Sequence, residues 1–192
     1  MANDVAQNSD GIGKLFRTAA WSGAALLLLL PLVAMQFTSE VDWDETDFIV
    51  MGIMLFGAAG AFDFATRLNG SLAYRFGAAA GIGTCFLLVW VNLAVGIIGS
   101  EDNPQNLLYL AVLATAVVGA VSTRFRPRGM AVTMAAAATL QLAIGLYGLI
   151  GGVHDMPHIG TYQVLGATGL FVFLWLFAAG LFASAARAPR QS

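Results

Sequence analysis

Arg124–Asp155 reads RFRPRGMAVTMAAAATLQLAIGLYGLIGGVHD. Three arginines precede an apolar run, no charged residue interrupts Gly129–Gly151, and a histidine and an aspartate follow. About 20 predominantly apolar residues suffice for an α-helix to cross a ~30 Å hydrocarbon core. The two flanks differ in charge, which gives the segment a direction as well as a length.

The same pattern continues on both sides of this stretch. It predicts spans at Thr18–Thr38, Asp47–Arg67, Leu72–Gly99, Pro104–Ser122, Gly129–Gly151 and Ile159–Ala186. All 9 Lys and Arg then fall on one side. Lys14 and Arg17 precede the first span, Arg67 and Arg75 frame the second connection, Arg124, Arg126 and Arg128 occupy the fourth, and Arg187 and Arg190 lie in the tail. Glu40, Asp42, Asp44, Glu45, Asp47, Glu101, Asp102, Asp155 and both histidines fall on the other. Cytoplasmic loops are enriched in Lys and Arg, and this bias sets orientation. The expected fold is therefore an all-α, six-transmembrane-helix bundle in the inner membrane, with both termini cytoplasmic.

Composition supports this class. The chain is 58% apolar and 10% charged, against about a quarter charged in soluble domains. The apolar runs are continuous and not alternating, which excludes a transmembrane β-barrel. Nine cations spread over four short stretches form no groove-tracking stripe, so nucleic acid is not an expected partner. Cys85 is the one cysteine; it offers no internal disulfide and reads as a small apolar residue. The expected organisation is a disordered leader at 1–13, a single membrane domain at 14–187 and a short tail at 188–192. Lys14 and Arg17 before Ala24–Leu30 also fit a signal peptide, but the uncharged run is longer than a usual signal core. Retention as a first span is the expectation.

Local signals place the helix ends. Asp44 and Asp47 fit a capping box, with Trp43 and Phe48 as its hydrophobic staple. Ser71 fits an N-cap, and Asn103 before Pro104 fits another. The stretches Gly96–Pro104 and Gly148–Pro157 look alike with one gap, and Arg75/Arg128, Asp102/Asp155 and Tyr109/Tyr162 share one spacing. Such a pattern suggests a parallel duplication of two-helix units; ordinary capping chemistry at helix exits explains it as well. Gly77-x-x-x-Gly81 and Gly148-x-x-x-Gly152 let helices approach closely. They read first as internal packing and second as self-association.

Few residues could carry chemistry. Asp63 is the one ionisable residue well inside a span, about 22 Å along its helix from Phe48 at 1.5 Å per residue. Intramembrane acids are functional candidates by default. Arg67 follows at i+4 in the favourable order, and Arg75 is expected to approach from the next span, so an ion pair is the plainer reading. Asn92 and Gln141 are the other polar candidates within spans, as interhelical hydrogen-bonding groups or as the lining of a small cavity. His154 and His158, with Asp155, Asp102 and Glu101, would supply nitrogen and oxygen ligands for a divalent ion at the outer face if the two acidic loops meet. No cofactor is otherwise expected. The patterns of serine-hydrolase elbows, zinc proteases and P-loops are absent, and Asp47 stands where a calcium loop needs glycine.

The function expected from sequence is non-catalytic. It is that of a small multi-pass membrane protein acting through helix packing, as an accessory subunit or small-solute conduit, with lipid and either a membrane-protein partner or a second copy as its neighbours. The alternatives are a transporter or channel built from repeated hairpins around Asn92, Gln141 and Asp63, and an outer-face metal enzyme around the histidines.

Overall fold

The computed structural model of the chain describes the backbone of residues 2–151 and 158–187, and the side chains of residue 11, of 13–150 and of 160–187. Those residues are helical throughout, with short connections and no strand among them. The order is α1 (Ala2–Ala34), α2 (Glu45–Leu68), α3 (Leu72–Ala94), a 3-10 turn (Pro104–Leu108), α4 (Tyr109–Ser122), α5 (Pro127–Gly151) and α6 (His158–Arg187). Among the described residues, six helices are long and apolar enough to cross a membrane, as a multi-pass membrane protein requires. Long apolar side chains remain exposed along them. In water such surface would be a liability; against lipid tails it is the expected finish.

The chain divides into two compact units, Met1–Gly70 and Ser71–Ser192. In the first, α1 packs against α2 as an antiparallel hairpin. Phe16 meets Phe62 edge-on at 6.4 Å and Trp21 stacks on Phe56 at 6.0 Å between ring centroids. As the α1 number rises, its α2 partner falls, which fixes the antiparallel register. The α2 start follows its sequence. Asp44 Oδ1 accepts from the Asp47 N–H at 2.9 Å, and Asp47 Oδ2 accepts from the Asp44 N–H at 3.1 Å. Trp43 packs edge-on to Phe48 at 5.4 Å, completing the staple. The backbone of α1 runs from Ala2, within the polar leader. No proline interrupts residues 2–13, and a helix already nucleated in the apolar run adds one hydrogen bond for each further residue fixed.

The second unit is organised around α6. Its buried side chains are Val164, Thr168, Phe171, Trp175, Ala178, Phe182 and Ala185. The spacing alternates four and three, the seam of a heptad repeat. On α5 the residues Met130, Met134, Ala137, Gln141, Ile144 and Gly148 are buried at the same alternating spacing. Helices α5 and α6 share the most extensive contact of the unit, α3 lies along α6, and α4 along α5. Small residues set the closeness. A Cβ on Gly77 would lie 3.1 Å from Phe182, one on Gly81 would lie 3.2 Å from the Met134 sulfur, and one on Gly145 would overlap Thr168. The Gly77/Gly81 pair therefore serves contacts inside this unit.

The third span ends earlier than its sequence suggests. Helix α3 stops at Ala94 and not near Gly99. Gly96 and Gly99 adopt φ of +68° and +79°, and the chain between them folds back with Ile97 and Ile98 fully buried. A Cβ on Gly96 would lie 2.4 Å from the Ser100 carbonyl oxygen, so only glycine fits the turn. Apolar residues alone mimic a longer span. The two glycines that admit left-handed backbone are what divert it.

Candidate functional site

Polar side chains collect at three places. The first is the α1–α2 hairpin. Hairpin symmetry about the connection near Glu40 sets Arg17 opposite Asp63. Arg17 Nε lies 3.3 Å from Asp63 Oδ1. Arg67, one turn beyond Asp63 on α2, donates from Nη2 to Oδ2 at 2.7 Å and from Nε to Oδ1 at 3.3 Å. One carboxylate thus takes a two-pronged contact from Arg67 and a third from Arg17, an arrangement suited to the guanidinium fork. Within the hairpin the second cation at Asp63 is Arg17. Arg75 is buried at the start of α3, and its Nε makes no hydrogen bond. The signal for Arg17 was present in the sequence: positions 17 and 63 are equidistant from the middle of the first loop.

The second place is the connection from α3 to α4. Asn106 holds the diverted chain. Its Oδ1 accepts from the N–H groups of Ile97 at 3.0 Å and Ile98 at 2.9 Å, and its Nδ2 donates to the carbonyls of Ile98 at 3.3 Å and Ser100 at 2.7 Å. Gln163 Nε2 on α6 donates to the Gly96 carbonyl at 3.0 Å. Backbone that leaves a helix in a membrane protein is tolerated where protein satisfies it, and these two side chains do so. Asn103 caps the following turn by accepting from the Gln105 N–H at 3.0 Å. Beside this connection a cleft of about 370 Å³ opens between α3 and α4, with Asn92, Glu101, Asp102 and Asn106 among its lining residues. Asn92 donates from Nδ2 to the Leu88 carbonyl of its own helix at 2.7 Å, while its buried Oδ1 has no partner.

The third place is the α5–α6 seam. Gln141 is fully buried, and neither amide atom makes a hydrogen bond. Trp175 Nε1 is likewise buried and unbonded. The hydroxyls of Tyr109 and Thr168 lie near each other without reaching hydrogen-bond geometry. Unsatisfied groups of this kind cost about 1–3 kcal/mol each in a soluble core. Gln141 is not among the residues lining the Asn92 cleft, so the two intramembrane amides do not share that cavity.

The histidine cluster at the outer loop falls largely beyond what the structure describes. His154 and Asp155 lie outside the described residues, and His158 opens α6 with a side chain that is likewise outside them. Glu101 and Asp102 are exposed at the turn after α3. Among the described residues no group of three His, Cys, Asp or Glu side chains gathers to hold a metal ion.

Asn106, Gln163 and Thr168 were not singled out from the sequence. A single Asn after an Asn-Pro turn carries no pattern, because its role depends on backbone folded back from an earlier helix. No protein-family profile, no curated protein and no solved structure matches this chain.

Proposed function

We propose that the chain is a non-catalytic, multi-pass inner-membrane protein, with both termini cytoplasmic, that acts as an accessory subunit through helix packing. The orientation rests on the placement of all 9 Lys and Arg in alternate connections. The observation that carries the function is where the polar groups of the spans are spent. Asp63 is engaged by two arginines, Asn92 bonds back to its own helix, and Gln141 sits inside a packed heptad seam. Each is spent on its own surroundings, and the cleft beside Asn92 is not lined by Gln141. The α1–α2 hairpin complements this: within the hairpin, α2 covers little of the α1 apolar run, which leaves a helical face for another membrane segment.

The test is residue-specific photocrosslinking in native membranes. Crosslinkers at exposed Leu29, Leu30 and Ile53 should capture one discrete membrane protein, and one at buried Trp175 should capture none. Smears at every exposed position would point to lipid alone and remove the subunit reading. A second reading, binding and passage of a small polar solute, draws on the cleft beside Asn92. It predicts solute flux into proteoliposomes that Asn92→Leu abolishes; absence of flux for both proteins would discard it.

A further inference from the structure

We infer that the Arg17–Asp63–Arg67 end of the α1–α2 hairpin is a binding site for the headgroup phosphate of an anionic membrane phospholipid. A cleft of about 370 Å³ opens there between the two helices, and its lining includes Lys14, Arg17, Arg67 and Asp63, with the hydroxyls of Thr18 and Ser22. Three cations face one carboxylate, so Asp63 leaves the lining with an excess of positive charge.

The carboxylate organises the cations without exhausting them. A guanidinium carries five N–H donors in a fixed fork. Asp63 engages Nε of Arg17, and Nε and Nη2 of Arg67. The other donors of both side chains, the Lys14 ammonium and two hydroxyls are of the type that phosphate oxygens accept. Asp63 therefore acts as a spacer that draws guanidiniums from two different helices to one point. Without it, two like charges would separate. Arg is the residue suited to planar, two-pronged recognition of phosphate.

Location selects a lipid as the source of that phosphate. The cleft lies where the apolar run of α1 begins and α2 ends, the level at which a bilayer spanned by these segments would place its headgroups. Trp21 lines it and is exposed, and Leu15 and Phe64 are exposed close by in sequence on the same two helices. Trp is enriched at the membrane–water interface, and these apolar side chains would lie against the glycerol and upper acyl region of a lipid whose headgroup sat among the cations. A zwitterionic headgroup brings its own cation toward three others; an anionic one does not. The site therefore favours phosphatidylglycerol over phosphatidylcholine. This inference is independent of the subunit reading, since a lipid at the hairpin end and a protein along its length are detected separately.

The experiment is native mass spectrometry of the full chain from neutral detergent, titrated with phosphatidylglycerol or phosphatidylcholine, and with inorganic phosphate as the soluble arm. Wild type should retain phosphatidylglycerol at least ten-fold better than phosphatidylcholine, and millimolar phosphate should not displace it. Combined Lys14→Gln and Arg17→Gln should weaken retention by on the order of thirty-fold, given the usual gain per basic residue near an anionic surface. Lys14→Gln alone leaves the Asp63 ion pairs intact, so it keeps the test valid if the double variant fails to fold; it should weaken retention about five-fold. Arg126→Gln, in a different basic stretch, should match wild type. Equal retention of both lipids, or Lys14→Gln no different from Arg126→Gln, would overturn the proposal. Displacement by free phosphate would overturn the lipid assignment.

Discussion

Gly145 offers the sharpest test of the packing on which the second unit depends. A Cβ at this position would lie 2.2 Å from Thr168 Oγ1, 2.5 Å from its Cγ2 and 2.9 Å from its Cβ. Ordinary contact begins near 3.4 Å, so Gly145→Ala forces α5 and α6 apart by roughly an ångström along their shared seam. Overpacking of this severity belongs at the upper end of the usual range, about 3 kcal/mol. Replacing helical Gly by Ala returns about 1 kcal/mol of propensity, which leaves a net loss near 2 kcal/mol. Thr168→Ala alone should be nearly silent, because its buried hydroxyl makes no hydrogen bond. It also removes the two closest atoms, so the double variant should recover more than half of the loss. That corresponds to a coupling of about 1–2 kcal/mol, within the range for residues in contact. The assay is thermal unfolding in detergent, followed by a thiol-reactive fluorogenic dye, since Cys85 on α3 is a free cysteine of the same unit. A stable Gly145→Ala protein, or a double variant no better than the single, would refute the seam as described.

Other perturbations probe the remaining features. Asn106→Ala strands the N–H groups of Ile97 and Ile98 and should cost about 3 kcal/mol, with faster hydrogen exchange at those two amides; unchanged exchange would show that the turn holds itself. Gln141→Leu should leave stability equal or higher by about 1 kcal/mol, because neither amide atom is bonded; marked destabilisation in the same melt would reveal a polar partner. Asp63→Asn should lower the yield of folded protein and Asp63→Glu should restore it, measured by fluorescence-detected size exclusion; equal yields would mean that the three-way ion pair is dispensable. A reporter active only in the cytoplasm should work when fused after Arg75, Arg128 or Ser192 and fail after Glu45, Asp102 or Asp155. Activity at Asp155 would break the six-span topology.

The helical count was legible in the sequence because it rests on hydropathy and length, which act residue by residue. Both cap signals at α2 were legible for the same reason: a capping box lies within four consecutive residues, and the structure forms both of its hydrogen bonds. The α3 end was not legible. Gly96 to Gly99 is apolar enough to extend a span, and the side chains that satisfy the diverted backbone, Asn106 and Gln163, arrive from beyond the turn. The Asp63 site was half legible. Arg67 follows at i+4 on one helix, whereas Arg17 is brought by the hairpin register, which local spacing does not contain. The heptad seams of α5 and α6 are hidden in the sequence by apolar residues on their exposed sides, among them Val132, Leu142, Leu170 and Phe173, so periodicity alone cannot distinguish the buried stripe.

The side chain of Asn106 also carries a consequence for biogenesis. The amides of Ile97 and Ile98 have no helical partner of their own and find one only in a residue made eight or nine positions later. Until that residue has left the ribosome, the third helix ends in bare peptide groups that hydrocarbon will not accept. The third and fourth helices must therefore partition into the bilayer as one hairpin.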